Sequence, residues 1–120
     1  MNEELIKTSM EIIIKAGDAH LLNHKALKAL AENDFELAAN QFEAASKKLV
    51  EAHKVHTTMI QSEASGNHIE YSVLFTHAQD TLMTINSEIG LSKSLFKVFE
   101  SLNHRIEKLE EGMKNCDETN

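Results

Sequence analysis

Residues 69–109 read IEYSVLFTHAQDTLMTINSEIGLSKSLFKVFESLNHRIEKL, an unbroken run without proline. It places Ile69, Val73, His77, Asp80, Thr84, Ser87, Leu91, Leu95, Val98, Leu102, Ile106 and Leu109 at steps of three and four, the spacing of one face of an α-helix. The two ends of that face are apolar and its middle is polar. Gly90 inside the run costs about 1 kcal/mol relative to alanine. The pattern predicts one helix passing through it, with a kink as the alternative.

Working outward, two more helices are expected. Asn33 with Glu36 has the spacing of a capping box and predicts a helix start after a break at Ala31–Asp34. The stripe that follows is Phe35, Ala38, Phe42, Ala45, Leu49, Ala52, Val55, Met59 and Ile60, and it stops at Ser65-Gly66, where glycine is free to close a helix in the left-handed conformation. Asn67 with Glu70 repeats the cap and is expected to start the third helix. The first helix carries Ile6, Met10, Ile13, Gly17, Leu21, His24 and Leu27 on one face, with Asn2 as N-cap and Glu3 and Glu4 complementing the helix dipole. Short connections then require antiparallel neighbours. The expected fold is all-α, an up-down-up three-helix bundle over residues 1–112, followed by a flexible polar tail at 113–120.

Composition agrees. The 120 residues contain no Pro, four Gly, one Tyr and no Trp, which suits helices rather than sheets and tight turns. Twelve Lys and Arg against 19 Asp and Glu leave a net charge of -7, which argues against nucleic acid or an anionic membrane as the main partner. The lone Cys116 excludes an internal disulfide and is expected to be an incidental surface thiol in a reducing compartment. No apolar run approaches a membrane span, and the acidic start lacks the basic region of a signal peptide, so a cytoplasmic location is expected.

The polar middle of the long stripe carries the chemistry. His77 and Asp80 stand at i and i+3, and the stripe predicts that both project into an apolar seam. A buried carboxylate must be paired, protonated, metal-bound or opened to water. If three chains pack around a threefold axis, three copies of Asp80 can converge on one divalent cation, and oxygen ligands favour Mg2+ or Ca2+. A neutral imidazole at His77 is both nucleophile and leaving group near neutral pH, which suits reversible phosphorylation. Thr76, Thr81 and Gln79 are candidates to donate hydrogen bonds to phosphoryl oxygens.

His77-Ala78-Gln79-Asp80 followed by Leu82-Met83-Thr84 resembles the active-site segment of the IIA component of the lactose/cellobiose (chitobiose) family in the bacterial phosphoenolpyruvate-dependent sugar phosphotransferase system. Ala16-Gly17-Asp18-Ala19, Asn33-Asp34-Phe35-Glu36-Leu37-Ala38, Glu51-Ala52-His53-Lys54, Ala64-Ser65-Gly66 and Tyr71-Ser72-Val73 resemble family positions in the same order, over roughly residues 3–85. The resemblance implies a homotrimer of three-helix protomers, a phosphohistidine at His77, and a metal near the threefold axis held by Asp80 of each subunit, Mg2+ or a similar divalent cation. It also implies phosphate received from the phosphocarrier HPr and passed to a cysteine of a IIB component, which phosphorylates sugar entering through the membrane IIC permease. Many members carry a second histidine directly after the Asp, where this chain has Thr81.

Two other readings compete. A metal-centred enzyme would use His20 and His24 at i and i+4, His53 and His56 at i and i+3, and nearby Asp18, but the paired Glu-x-x-His pattern of di-iron bundles is missing. His20, His24, His56, His68 and His104 are expected to be structural or solvated, and His53 is assigned no role. A non-catalytic helical adaptor would explain the Leu91, Leu95, Val98, Leu102 and Leu109 ridge. It leaves His77 and Asp80 unexplained.

Overall fold

A computed structural model describes residues 2–118. Three helices, α1 (Glu3–Ala31), α2 (Phe35–Ala64) and α3 (Val73–Glu118), run up, down and up, in a rod 77 × 21 × 18 Å. Asn2 caps α1 as expected, its side chain accepting from the Glu4 amide at 2.8 Å.

The α1–α2 turn differs from the expected capping box by one residue. Asn33 takes the left-handed conformation (φ 65) and closes α1: its amide donates to the Leu30 carbonyl at 3.0 Å and the Asp34 amide to the Ala29 carbonyl at 2.9 Å. This is a Schellman motif, in which Asn is the usual substitute for Gly. Asp34 then caps α2, its carboxylate accepting from the Leu37 amide at 3.1 Å. Asparagine thus ends one helix and aspartate starts the next.

Gly66 (φ 102) ends α2 as the sequence predicts, by the same geometry: its amide meets the Glu63 carbonyl at 3.0 Å and the Asn67 amide meets the Ser62 carbonyl at 3.2 Å. Asn67 does not cap α3. That helix starts several residues later, where the Ser72 hydroxyl accepts from the Phe75 amide at 3.1 Å and the Ser72 carbonyl from the Thr76 amide at 3.0 Å. Residues 67–71 form the irregular connection. From Val73 onward α3 is a single helix through Gly90, and it continues through residues 113–118, where the sequence predicts a tail; Thr119 and Asn120 lie outside the described residues.

The core is built on small residues. Leu5, Ile12, Ala16, Ala19, Ala26 and Ala29 of α1 face Ala38, Phe42, Ala45, Leu49 and Ala52 of α2, so the α1 face is offset from the expected stripe, of which Met10, Leu21 and His24 are exposed. Alanines at successive turns let two helices approach closely. The α2 stripe agrees with its sequence pattern except at Ile60, which is exposed. From α3 the buried set is Phe75, Ala78, Leu82, Ile85, Ile89 and Ser92. Each large apolar side chain among them contributes about 1.5–3 kcal/mol by leaving water. Phe96 closes this end edge-to-face against Phe35 and Phe42, with ring centroids 5.9 and 5.7 Å apart. Beyond it, through Asp117, every residue but Asn103 is exposed.

A candidate phosphoryl-acceptor groove

The buried and exposed stripes of α3 decide where the site lies. His77 and Asp80 belong to the exposed one, not to the protomer's apolar seam as expected. The residues that enter the seam are Ala78 and Leu82, rotated by about 100° per residue from their neighbours. Of the outcomes open to Asp80, the protomer realises exposure to water. Neither His77 nor Asp80 makes a hydrogen bond or ion pair among the described residues.

His77 opens onto a groove of about 530 Å³ between α1 and α3, walled by Ile13, Gly17 and His20 on one side and by His77, Asp80, Thr81, Thr84, Ile85 and Glu88 on the other. Gly17 lies in this wall with open space above it, since a Cβ there would meet no atom within 4 Å.

The three hydroxyl and amide candidates are not equivalent. Thr81 is one turn beyond His77 and lines the same groove. Thr76 sits beside it, but its hydroxyl donates to the Ser72 carbonyl at 3.0 Å. Gln79, two residues from His77, is turned away: its Oε1 lies 2.8 Å from His56 Nε2, and the His56 ring stacks on Phe75 at 6.0 Å between centroids. Within one protomer the fold therefore joins His77 with Asp80 and Thr81 and separates Gln79.

At the far end of the groove is a cluster that sequence spacing shows only in part. Glu88 of α3 reaches His20 and His24 of α1, at 2.7 Å to His20 Nδ1 and 3.4 Å to His24 Nε2. The i, i+4 histidine pair is visible in the sequence; its carboxylate, on another helix, is not. Across the molecule, Lys15 holds the Glu51 carboxyl below its usual range through a hydrogen bond at 3.2 Å and its charge, with Lys48 adding to the effect.

Residues 7–100 match the family described as the lactose/cellobiose-specific IIA subunit of the PTS system. The chain belongs to this family. It is thus a IIA component, a phosphoryl-carrying part of a sugar phosphotransferase system. A lichenan-specific phosphotransferase enzyme IIA component from Bacillus subtilis is 30% identical over 102 residues, 85% of this chain and 93% of that protein. The crystal structure of PtcA from S. mutans superposes with a TM-score of 0.81 at 33% identity, covering 83% of this chain and 99% of that one. A solution structure of an Escherichia coli IIA(Chitobiose)–HPr complex matches with a TM-score of 0.73 at 33% identity, covering 85% and 99%. The fold and family expected from the His77-Ala78-Gln79-Asp80 segment therefore stand. The final turns of α3, residues 101–118, extend past the matched region. Among the described residues no helix is long and apolar enough to cross a membrane.

Proposed function

We propose that His77 is the phosphoryl acceptor of this IIA component, taking the group from HPr and passing it to a IIB component that serves the IIC permease in the cytoplasm. The observation that carries this reading is the exposed, unpartnered imidazole at the mouth of an open groove. A neutral ring nitrogen attacks phosphorus, the N–P bond forms as the donor's bond to phosphorus breaks, and the reverse attack by the next carrier restores free His77. Thr81 is placed to donate a hydrogen bond to a phosphoryl oxygen without adding a charge that would hold the group too firmly. Gln79 would take part only if another subunit brought it to the groove.

The protomer reads as one third of a homotrimer. The exposed stripe of α3 ends in Leu91, Leu95, Val98, Leu102, Ile106 and Leu109, which are 38% to 69% exposed, more contiguous apolar surface than a monomer normally leaves in water. Asp80 lies on the same face, unpaired, so three copies around an axis would supply an all-oxygen ligand set that fits Mg2+ or a similar hard divalent cation. Such an ion would offset the repulsion of the three carboxylates.

Transfer of labelled phosphate from phosphoenolpyruvate through enzyme I and HPr tests the assignment. Wild-type protein should take up acid-labile label and His77→Ala none. Label on both would move the acceptor elsewhere, and label on neither, with HPr active on another IIA protein, would favour the adaptor reading.

A further inference from the structure

His20 and His24 stand one turn apart on α1 with ring centroids 4.4 Å apart in an edge-on arrangement. Glu88 crosses from α3 and addresses both, Oε2 toward His20 Nδ1 at 2.7 Å and Oε1 toward His24 Nε2 at 3.4 Å. One ligand atom from each of the three residues lies within 4.8 Å of the others. We propose that His20, His24 and Glu88 form a binding site for a divalent transition-metal ion, Zn2+ foremost.

The donor set selects the ion. Two imidazole nitrogens with one carboxylate oxygen suit Zn2+ and its neighbours rather than Mg2+ or Ca2+, which favour oxygen alone. With metal–ligand bonds of about 2.0–2.2 Å, ligand atoms around a tetrahedral ion stand on the order of 3.4 Å apart. The 2.7 and 3.4 Å nitrogen–oxygen separations lie below and at that value, all three ligand atoms lie within 4.8 Å of one another, and the side chains are 43%, 57% and 31% exposed, so small rotations can bring them to it. The same exposure leaves the fourth position to water. Glu88 is eleven positions beyond His77 and eight beyond Asp80, about 16 and 12 Å along α3 at 1.5 Å per residue. The cluster shares the groove with His77 and Asp80 but lies about three and two helical turns beyond them, and it does not depend on the role proposed for either. Because its ligands come from two helices, the ion would tie α1 to α3.

The full chain, freed of metal with EDTA, is titrated with Zn2+ by calorimetry and with Co2+ by absorption. One ion per protomer is expected, with Co2+ bands of low-symmetry coordination and a raised thermal midpoint in Zn2+. His24→Ala and Glu88→Gln should each weaken Zn2+ binding at least about tenfold and remove the thermal shift, since even outer ligand contacts change metal affinity by about that much. His104→Ala should leave both intact, and circular dichroism of the metal-free variants should match wild type. Absence of stoichiometric Zn2+ binding, or affinity unchanged in both His24→Ala and Glu88→Gln, would overturn the site.

Discussion

The two long stripes of α3 look alike in sequence and do different work. One, from Phe75 to Ser92, is buried against α1 and α2. The other starts with His77, Asp80 and Thr84, continues through Leu91, Leu95, Val98, Leu102 and Ile106, and faces outward. A 3.6-residue period reports that a face is apolar, not what covers it. The buried stripe holds a protomer together. The outward stripe leaves its apolar half, Leu91 to Ile106, and its polar half, His77 to Thr84, facing solvent in the protomer, which is the surface the proposed assembly and phosphoryl transfer would use.

If that division holds, the two stripes must break in different ways. Leu102→Glu with Ile106→Glu puts charge on the outward stripe and should convert the assembly to monomers by sedimentation while helix content is kept; monomers that lose their helices would refute the division. Ile89→Ala on the buried stripe should instead lower unfolding free energy by about 2–5 kcal/mol in urea, with assembly of the folded fraction unchanged. Gly17→Ala touches only the groove wall. Removing a mid-helix glycine with open space around it should raise stability by up to about 1 kcal/mol, whereas the bulkier Gly17→Leu should slow phosphoryl uptake at least about tenfold by filling the groove.

The smallest effect is expected on the face away from α3. Lys15 holds the Glu51 carboxyl below its ordinary range, so this pair favours the folded state above the ordinary carboxylate value, and its contribution is lost as pH falls through the lowered one. Lys15→Gln should raise the Glu51 midpoint toward the ordinary carboxylate value in an NMR titration. The exposure of this pair should leave the thermal midpoint almost unchanged near neutrality.

Helix number and order, both ends of α1 and the end of α2 are legible in the sequence because caps and glycine act locally, whereas the start of α3 at Val73 and its continuation to Glu118 are not. At Asn33-Asp34 both residues are good caps, and only the tightness of the turn forces Asn33 into the left-handed role and leaves Asp34 to cap α2. In α1 the run Ile12-Ile13-Ile14 supplies apolar residues to several faces at once. The true contact face is marked by Ala16, Ala19 and Ala26, whose small side chains weigh little in hydropathy yet permit close packing. Asn23 shows the same limit from the other side: it is fully buried, and its side-chain atoms have no hydrogen-bond partner among the described residues.

The site divides along similar lines. His77, Asp80 and Thr81 are neighbours in sequence and on one helix face, so helical spacing alone groups them. Which way that face points is not encoded there, because the adjacent stripe is equally periodic. The pairing of Gln79 with His56 and of Glu88 with His20 and His24 crosses between helices, and no local spacing specifies it.

The most direct measurement is the location of the phosphoryl group among the seven histidines, by mass spectrometry of peptides prepared at alkaline pH after phosphorylation by HPr. The phosphoryl group should be found on the peptide that carries His77 and on no other. Its recovery on a peptide carrying His20, His24, His53 or His56 would contradict the assignment of the outward face of α3 as the surface where transfer takes place.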